Sequence, residues 1–262
     1  MTDDRAGSQS LERGLAILSA FRPGTPELGI ADLARELGLS RSTSHRYVST
    51  LARLGFLDQN AQTRKYRLGP RVLDLGFAAI NSMELRQISA PYLQRLADET
   101  GHTVNMAILD GTDIVYIERC RTSQPGQREI DLDLHVGSRL PAYCTSMGKV
   151  LLAFLPPGRR VEILDRIDLL DRGPNTITTR TKLVSELERV RAAGAAVNNE
   201  ELAYGLRSIA VPVRGQDGEV VAAINLAVHR STASIEDLVA RLSPRLHRAS
   251  TGISALLGYR PG

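Results

Sequence analysis

The sequence predicts an α+β protein in two parts, a short helical segment closed by a β-hairpin and a longer segment of mixed helices and strands. Three observations carry this. Apolar residues recur at helical spacing through residues 10–54, with glycine and proline at the breaks. Two short apolar runs, 56–59 and 64–68, flank a polar tip. From residue 84 onward, helical stretches alternate with strand-like runs joined by Asp-Gly turns. At 262 residues the chain suffices for one large domain or two small ones, at roughly 100–200 residues each. The expected boundaries are 1–69, 70–83 and 84–262.

The first helix spans 10–21, with Leu11, Leu15, Leu18 and Phe21 on one face, and Pro23, Gly24 and Pro26 end it. The second spans 30–37, with Ile30, Leu33, Ala34 and Leu37 at helical spacing; Gly38 breaks it and Leu39 anchors the turn. Ser40 is a good N-cap for a third helix over 41–54, which Gly55 closes. Phe56, Leu57, Tyr66 and Leu68 then flank the hairpin tip. Three helices, a tight turn between the second and third, and a hairpin make a winged helix-turn-helix. Gly69-Pro70 opens a helix over 71–82, with proline well placed in its first turn. Val72, Leu73, Leu75, Phe77, Ala78 and Ile80 run too far round it for a solvated linker, so a partner copy is expected to cover it.

The second part reads as a helix at 84–100 stopped by Gly101, then strands at 102–109 and 113–120 and another near 128–134. Residues 140–155 start as a loop and become a helix. Further helices are expected at 157–169 and 182–193, the latter capped by Thr181 and stopped by Gly194. Strands at 207–213 and 219–228 and a helix at 235–257 complete the chain.

Composition excludes several classes. Hydrophobic residues make up 42% and charged residues 24%, which is ordinary globular usage. No run of about 18 apolar residues exists, so no transmembrane helix is expected. The polar start Met1–Ser8 lacks the apolar stretch of a secretory signal, and a cytoplasmic location is expected. Cys120 and Cys144 make neither a disulfide framework nor a metal-ligand spacing, and read as reduced thiols. No metal and no cofactor is expected.

The net charge is only +4, but its distribution is uneven. Residues 31–72 hold eight arginines and lysines against three acids, a surplus of five, so the rest of the chain is slightly negative. A basic segment on a neutral chain is an electrostatic footprint for phosphate. With Val48 at the centre of the inward face of the third helix, Ser44 and Leu51 share that face. Ser42, Thr43, Arg46, Ser49, Thr50 and Arg53 lie opposite. Hydroxyls and guanidinium groups suit base edges and phosphates, and a helix of ~21 Å (about 1.5 Å per residue) fits a major groove about 12 Å wide. In helix-turn-helix docking the N-terminal residues of this helix reach the bases. The candidate duplex-DNA contacts are therefore Ser40, Arg41, Ser42, Thr43, His45, Arg46, Thr50 and Arg53, with Arg64 and Lys65 at the hairpin tip. His45 lies beside the inner face, so it either meets phosphate or packs within the domain. Read alone, the same helix is also an ordinary solvated one; the combined pattern favours DNA.

Here the chain resembles the IclR-type transcriptional regulators. The stretches that carry the resemblance are Leu11-Glu12-Arg13-Gly14-Leu15-Ala16-Ile17-Leu18, Leu37-Gly38-Leu39-Ser40-Arg41-Ser42-Thr43 and Thr50-Leu51-Ala52-Arg53-Leu54-Gly55-Phe56-Leu57. In the second half they are Leu140-Pro141-Ala142-Tyr143-Cys144-Thr145-Ser146-Met147-Gly148-Lys149 and Gly205-Leu206-Arg207-Ser208-Ile209-Ala210-Val211-Pro212-Val213. These forms are most similar to the branch that controls aromatic-acid catabolism through the β-ketoadipate (protocatechuate) pathway.

The resemblance implies a winged helix-turn-helix, a linker helix and a GAF-like effector-binding domain. It also implies a homodimer or dimer of dimers, palindromic promoter sites and a small organic-acid effector, with repression or activation as the output. It further places Ser146 and Met147 in the pocket loop, Asn198 and Ser208 at polar pocket positions, and Asn225 and Ala227 on the last strand. Met147 is bulky and Ala227 apolar where a hydroxyl can occur, which suits a larger or aromatic ligand over the smallest acids.

Apart from the resemblance, the segment before residue 148 leads into a helix, whose free N–H groups and positive end suit a carboxylate. Asn105, Met106, Arg119 and Arg207 are further residues within reach of such a pocket. Blander roles fit too: Ser208 and Asn225 as ordinary sheet positions, Met147 as core filler, Arg119 and Arg207 paired with Glu118 and Glu201. Cys144 near a helix start invites a lowered thiol pKa. It motivates two alternatives, a thiol redox sensor using Cys120 and Cys144, and a small-acid-processing enzyme with His102, His135 or His229 as base. A lone cysteine before a helix is usually structural, no phosphate-binding glycine motif or zinc-ligand spacing occurs, and an enzyme is not expected.

Overall fold

The computed structural model describes residues 8–22, 24–122 and 133–260, which form two compact units, 1–82 and 83–262. In the first unit α1 (Gln9–Ser19), α2 (Ile30–Glu36) and α3 (Arg41–Arg53) precede the hairpin β1 (Leu57–Gln59) and β2 (Tyr66–Leu68) and then α4 (Arg71–Asn81). Ile17, Leu33, Val48, Leu57 and Tyr66 form its core. Fully burying each aliphatic side chain contributes about 1.5–3 kcal/mol. The turn between α2 and α3 is built by Gly38, which adopts φ +64°, while the Leu39 N–H donates to the Ala34 carbonyl. That pairing closes a helix end through a left-handed residue, which glycine adopts without strain. α3 ends the same way: Gly55 has φ +80° and the Phe56 N–H donates to Leu51.

One expectation fails here. The face expected of α1 was Leu11, Leu15, Leu18 and Phe21; Leu18 and Phe21 do pack partly buried against the core, but the fully buried residues are Ile17 and Ala20, and Leu11 and Leu15 are exposed. The helix carries apolar residues on two faces, and a core this small covers only one.

The second unit opens with α5 (Glu84–Thr100) and builds one antiparallel six-stranded sheet in the order β5-β4-β3-β8-β7-β6. The strands are β3 (Thr103–Asp110), β4 (Asp113–Cys120), β5 (Arg139–Pro141), β6 (Ala196–Asn199), β7 (Leu206–Arg214) and β8 (Val220–His229). Between β5 and β6 come a 3-10 turn (Ala142–Cys144), α6 (Ser146–Phe154), α7 (Pro157–Leu164) and α8 (Arg180–Ala193). The chain ends in α9 (Ile235–Asp237), a π-helical turn (Leu238–Leu242) and α10 (Ser243–Leu256).

Strand alternation sorts the sheet into two faces. Val104, Met106, Ile209, Val211, Ile224 and Leu226 pack in one cluster with Leu93 of α5 and Leu246 and Ile253 of α10. Ala107, Tyr116, Ala196, Ala210 and Ala223 pack in the other with α6 and α8.

Other boundaries shift. α8 starts two residues earlier than expected, and its N-cap is Thr179 rather than Thr181. α7 stops at Leu164, where the Asp165 and Arg166 N–H groups turn back onto Val161 and Ile163. The continuing apolar residues Ile167 and Leu169 pack on the core as irregular chain. β5 and β6 were not expected as strands. The strand expected near 128–134 lies almost wholly outside the described residues. Among the described residues no helix is long and apolar enough to cross a membrane.

Candidate functional site

In the first unit the outward face of α3 is as polar as its spacing implies. Arg41, Ser42, His45, Arg46, Ser49, Thr50 and Arg53 are exposed, whereas Ser44 and Val48 are fully buried. Ser40 is the cap: its Oγ accepts from the Thr43 N–H at 3.1 Å and donates to Thr43 Oγ1 at 2.8 Å. Thr50 donates its hydroxyl back to the Arg46 carbonyl at 2.9 Å. These three hydroxyls thus serve the helix itself, and the long cationic side chains are what project. His45 is exposed, with Nδ1 3.5 Å from Ser49 Oγ, and does not pack into the core. At the hairpin tip the Asn60 side chain accepts from the Gln62 and Thr63 N–H groups, and Arg64 takes φ 59°. Arg64 and Lys65 are both exposed.

In the second unit the site forms where α6 meets the sheet. Every residue from Ser146 to Ala153 is buried. The Thr145 hydroxyl caps α6 by accepting from the Gly148 N–H at 3.2 Å, and it donates to Pro141 O at 3.2 Å. Gly148 is obligatory, because a Cβ there would lie 2.1 Å from the Ala142 carbonyl oxygen. This close approach brings Ser146 onto the sheet, where its Oγ lies 2.7 Å from Ser208 Oγ.

Two rows of residues face α6 across the strands. In the first, Asn198, Ser208, Ala227 and Thr103 stand opposite one another on β6, β7, β8 and β3. In the second, Ala196, Ala210, Asn225, Asn105 and Arg119 do so on β6, β7, β8, β3 and β4. Asn198 Nδ2 donates to the Cys144 carbonyl at 2.6 Å and its Oδ1 accepts from the Glu201 N–H at 3.2 Å. The Arg119 guanidinium donates to Asn105 Oδ1 at 2.9 Å, and Asn105 Nδ2 donates to Asn225 Oδ1 at 2.8 Å.

Of the six residues expected in the pocket, five thus fall on this one patch of sheet and helix end. Met147 is fully buried within the apolar cluster instead. Met106 and Arg207 do not reach the patch, because strand alternation turns both to the opposite face. Met106 takes a hydrogen bond from Ser89 at 3.4 Å. Arg207 is bonded to Asn199 Oδ1 and Ala233 O, both at 3.0 Å, and lies 3.9 Å from Glu200, so it does not pair with Glu201. The Glu118 carboxylate is held by Arg86 at 2.9 Å.

Glu201 has a different cation, one the sequence reading missed. Lys149 is 1% exposed, and its Nζ donates to Glu201 Oε1 at 2.5 Å, Val197 O at 2.6 Å and Glu186 Oε1 at 3.0 Å. Glu186 also accepts from Arg189 at 2.7 Å. Burial pushes the Glu201 carboxyl above the ordinary carboxylate range despite Lys149. Burial opposes ionisation of Glu186 too, but Lys149 and Arg189 outweigh it and hold that carboxyl below the range. The lysine ties α6 to Glu186 on α8 and, on either side of Asn198, to Val197 on β6 and to Glu201 in the turn that follows; the Asn198 amide holds the Cys144 carbonyl just before α6. Its signal was present in the sequence: one lysine inside the apolar run Val150–Ala153 and Gly148.

The lowered thiol pKa that a helix start invites at Cys144 is not found. Burial pushes both thiols up, Cys120 and Cys144 each to about 11. The Cys144 Sγ donates to Pro141 O at 3.8 Å, and among the described residues no histidine bonds it. Desolvation therefore outweighs the helix end, and neither thiol has the reactive character that a redox sensor or nucleophile needs. Among the described residues no His, Cys, Asp and Glu cluster could hold a metal.

Comparison with known proteins agrees with both units. Residues 10–61 match the IclR helix-turn-helix domain, and residues 77–255 match the bacterial transcriptional regulator IclR C-terminal domain. The chain belongs to the IclR family. It is similar to the Pca regulon regulatory protein of Pseudomonas putida, with 40% identity over 95% of this chain and 84% of that protein. A crystal structure of the RHA06195 protein of Rhodococcus sp. RHA1 superposes with a TM-score of 0.80 at 38% identity, covering 96% of this chain and 98% of that one. An IclR homologue of Microbacterium hydrocarbonoxydans, solved in complex with 4-hydroxybenzoate, superposes with a TM-score of 0.79 at 27% identity, covering 95% and 98%. This IclR-family chain is a transcriptional regulator; the relatives it matches are named as regulators, not as enzymes.

Proposed function

We propose that this regulator binds promoter DNA through residues 1–69 and a small organic acid of an aromatic-acid pathway through residues 84–262, with residues 70–83 coupling the two. The observation that carries the effector assignment is the buried Ser146–Ser208 hydroxyl pair at the N-terminus of α6. It is flanked on the sheet by Asn198, Asn225 and Ala227. A carboxylate replaces the serine–serine bond with bonds from the hydroxyls and the first-turn N–H groups, whose dipole end favours an anion. Ala227 and the alanines of the second row give this face small apolar side chains, which suit the flat side of a ring. One similar protein was solved with 4-hydroxybenzoate bound, an acid of this class.

On the DNA side, Arg41, Ser42, His45, Arg46 and Arg53 enter the major groove, while Ser40, Thr43 and Thr50 brace the helix that carries them. Arg64 and Lys65 sit on flanking phosphates. Exposed Leu11 and Leu15 on α1, and Leu73, Leu75 and Phe77 on α4, are the surface a second copy covers, giving a homodimer or dimer of dimers in the cytoplasm.

Calorimetric titration of the full chain with 4-hydroxybenzoate, protocatechuate and β-ketoadipate tests the effector reading. One acid is expected to bind, and Ser208→Leu is expected to abolish that binding while leaving DNA affinity intact. If none of the acids binds, or if Ser208→Leu binds as the parent does, the assignment is wrong.

A further inference from the structure

We infer that Arg119 sets the hydrogen-bonding polarity of the effector pocket through two asparagines, so that Asn225 presents a donor there and selects an acceptor oxygen on the ligand. This rests on the effector reading above.

A guanidinium has donors and no acceptor. Arg119 and Asn105 are directly opposite on β4 and β3, and the guanidinium lies 2.9 Å from the Asn105 amide. The Asn105 atom facing it must therefore be the oxygen. That choice turns Asn105 Nδ2 toward Asn225, directly opposite on β8, at 2.8 Å. The Asn225 atom receiving this bond must in turn be its oxygen. The Asn225 NH2 group is then left over, on a residue only 5% exposed; among the described residues it donates to no protein acceptor, and it is not sealed from solvent. An isolated asparagine presents either end of its amide; this one cannot, because a fixed charge two residues away has removed the choice. The leftover donors lie on the α6 face of the sheet, on the strand next to Ser208. A carboxylate or phenolate oxygen satisfies them, and an ammonium or a donor-only group does not. Arg119 is thus a positioning residue for specificity, acting without touching the ligand.

Asn105→Asp is the decisive variant. Aspartate accepts from Arg119 with one oxygen and accepts from Asn225 with the other. That forces Asn225 to turn its NH2 inward and its oxygen toward the ligand. The full chain, with 15N label on asparagine only, is titrated with 4-hydroxybenzoate, and Asn225→Asp assigns the Asn225 signal.

In the unliganded parent, the Asn105 side-chain protons are expected to be shifted downfield and slow to exchange, with those of Asn225 free until the acid is added. In Asn105→Asp the Asn225 protons are expected in the bonded position without any acid, and affinity for 4-hydroxybenzoate is expected to drop by about tenfold or more. Arg119→Lys keeps a donor-only cation and is expected to retain both the spectrum and the affinity. Arg119→Met is expected to broaden or split the asparagine signals.

Two results overturn the inference: Asn225 protons already bonded in the unliganded parent, or equal acid affinity in Asn105→Asp. A parent that shows the expected amide pattern yet binds no acid refutes the effector reading and leaves the polarity of Asn225 established. The two failures are therefore distinguishable.

Discussion

Replacing Lys149 by methionine removes the one cation placed between Glu186 and Glu201 while keeping a side chain of similar length. In the native chain this ammonium makes three bonds at 1% exposure. Glu186 keeps Arg189, but Glu201 is left buried and without a counter-charge. Breaking a buried pair from one side costs about 3–5 kcal/mol, because the remaining charge is uncompensated. Glu201 escapes part of that cost by taking up a proton. Burial already holds its carboxyl above the ordinary range, and Lys149 is the main influence opposing burial, so the variant raises it further.

A group whose folded pKa lies above its unfolded value lends stability that is complete below the unfolded value. That stability is lost as pH rises through the folded one. The deficit of Lys149→Met should therefore be small near pH 5 and grow toward about pH 8, by at most about 1.4 kcal/mol per pH unit. Urea denaturation of the full chain across this range measures it. The double variant Lys149→Met, Glu201→Gln should recover at least about 1 kcal/mol near pH 8 and lose most of the pH dependence. A loss that is the same at both ends of the range, or a double variant no more stable than the single one, refutes the reasoning.

Three further outcomes are expected. Ser44→Ala should raise the stability of the first unit by about 1 kcal/mol, because Ser44 Oγ is fully buried with no hydrogen-bond partner among the described residues and alanine favours the helix. Thermal melts check this, and DNA affinity should not change, since the residue faces inward. Arg46→Ala should weaken DNA binding and lower the salt slope by about one unit if its guanidinium meets a phosphate, with acid binding untouched. Filter binding at several salt concentrations reads both. Finally, Cys120 and Cys144 should alkylate far more slowly than a free thiol in the native chain, because thiols near 11 are almost wholly protonated at neutral pH. A Cys→Ser double variant should still respond to acid.

Much of the fold was legible because local signals agreed with tertiary packing. Gly38 and Gly55 marked helix ends that the structure closes through left-handed glycines, and the hairpin tip was visible as a polar run between Leu57 and Tyr66. The polar face of α3 followed from periodicity alone. What was missed has physical causes. β6 ends in Asn198-Asn199, poor strand formers that the β7 ladder holds in place, so propensity pointed away from it. α1 has two apolar faces, and nothing local says which one meets the core. Met106 and Arg207 were grouped with the site by closeness in sequence, which a period of two in strands breaks. The Lys149 cluster joins residues 37 and 52 positions apart, so only the lone charge in an apolar helix hinted at it. Cys144 shows the competition of two effects at a helix start: the dipole lowers a thiol pKa, but full burial raises it further.

The central claim is that one acid, held at Ser146 and Ser208, changes how α3 engages DNA. Fluorescence anisotropy of the full chain on DNA from upstream of its own gene, with and without 4-hydroxybenzoate or protocatechuate at fixed salt, tests it most directly. The account predicts tight, sequence-selective binding that weakens steeply with salt. It also predicts that one acid shifts the affinity by about fivefold or more, a shift that Ser208→Leu removes. Sequence-selective binding left unchanged by an acid that calorimetry shows to be bound would contradict the coupling. Binding with no preference for any upstream sequence would contradict the assignment of α3 as the reading helix.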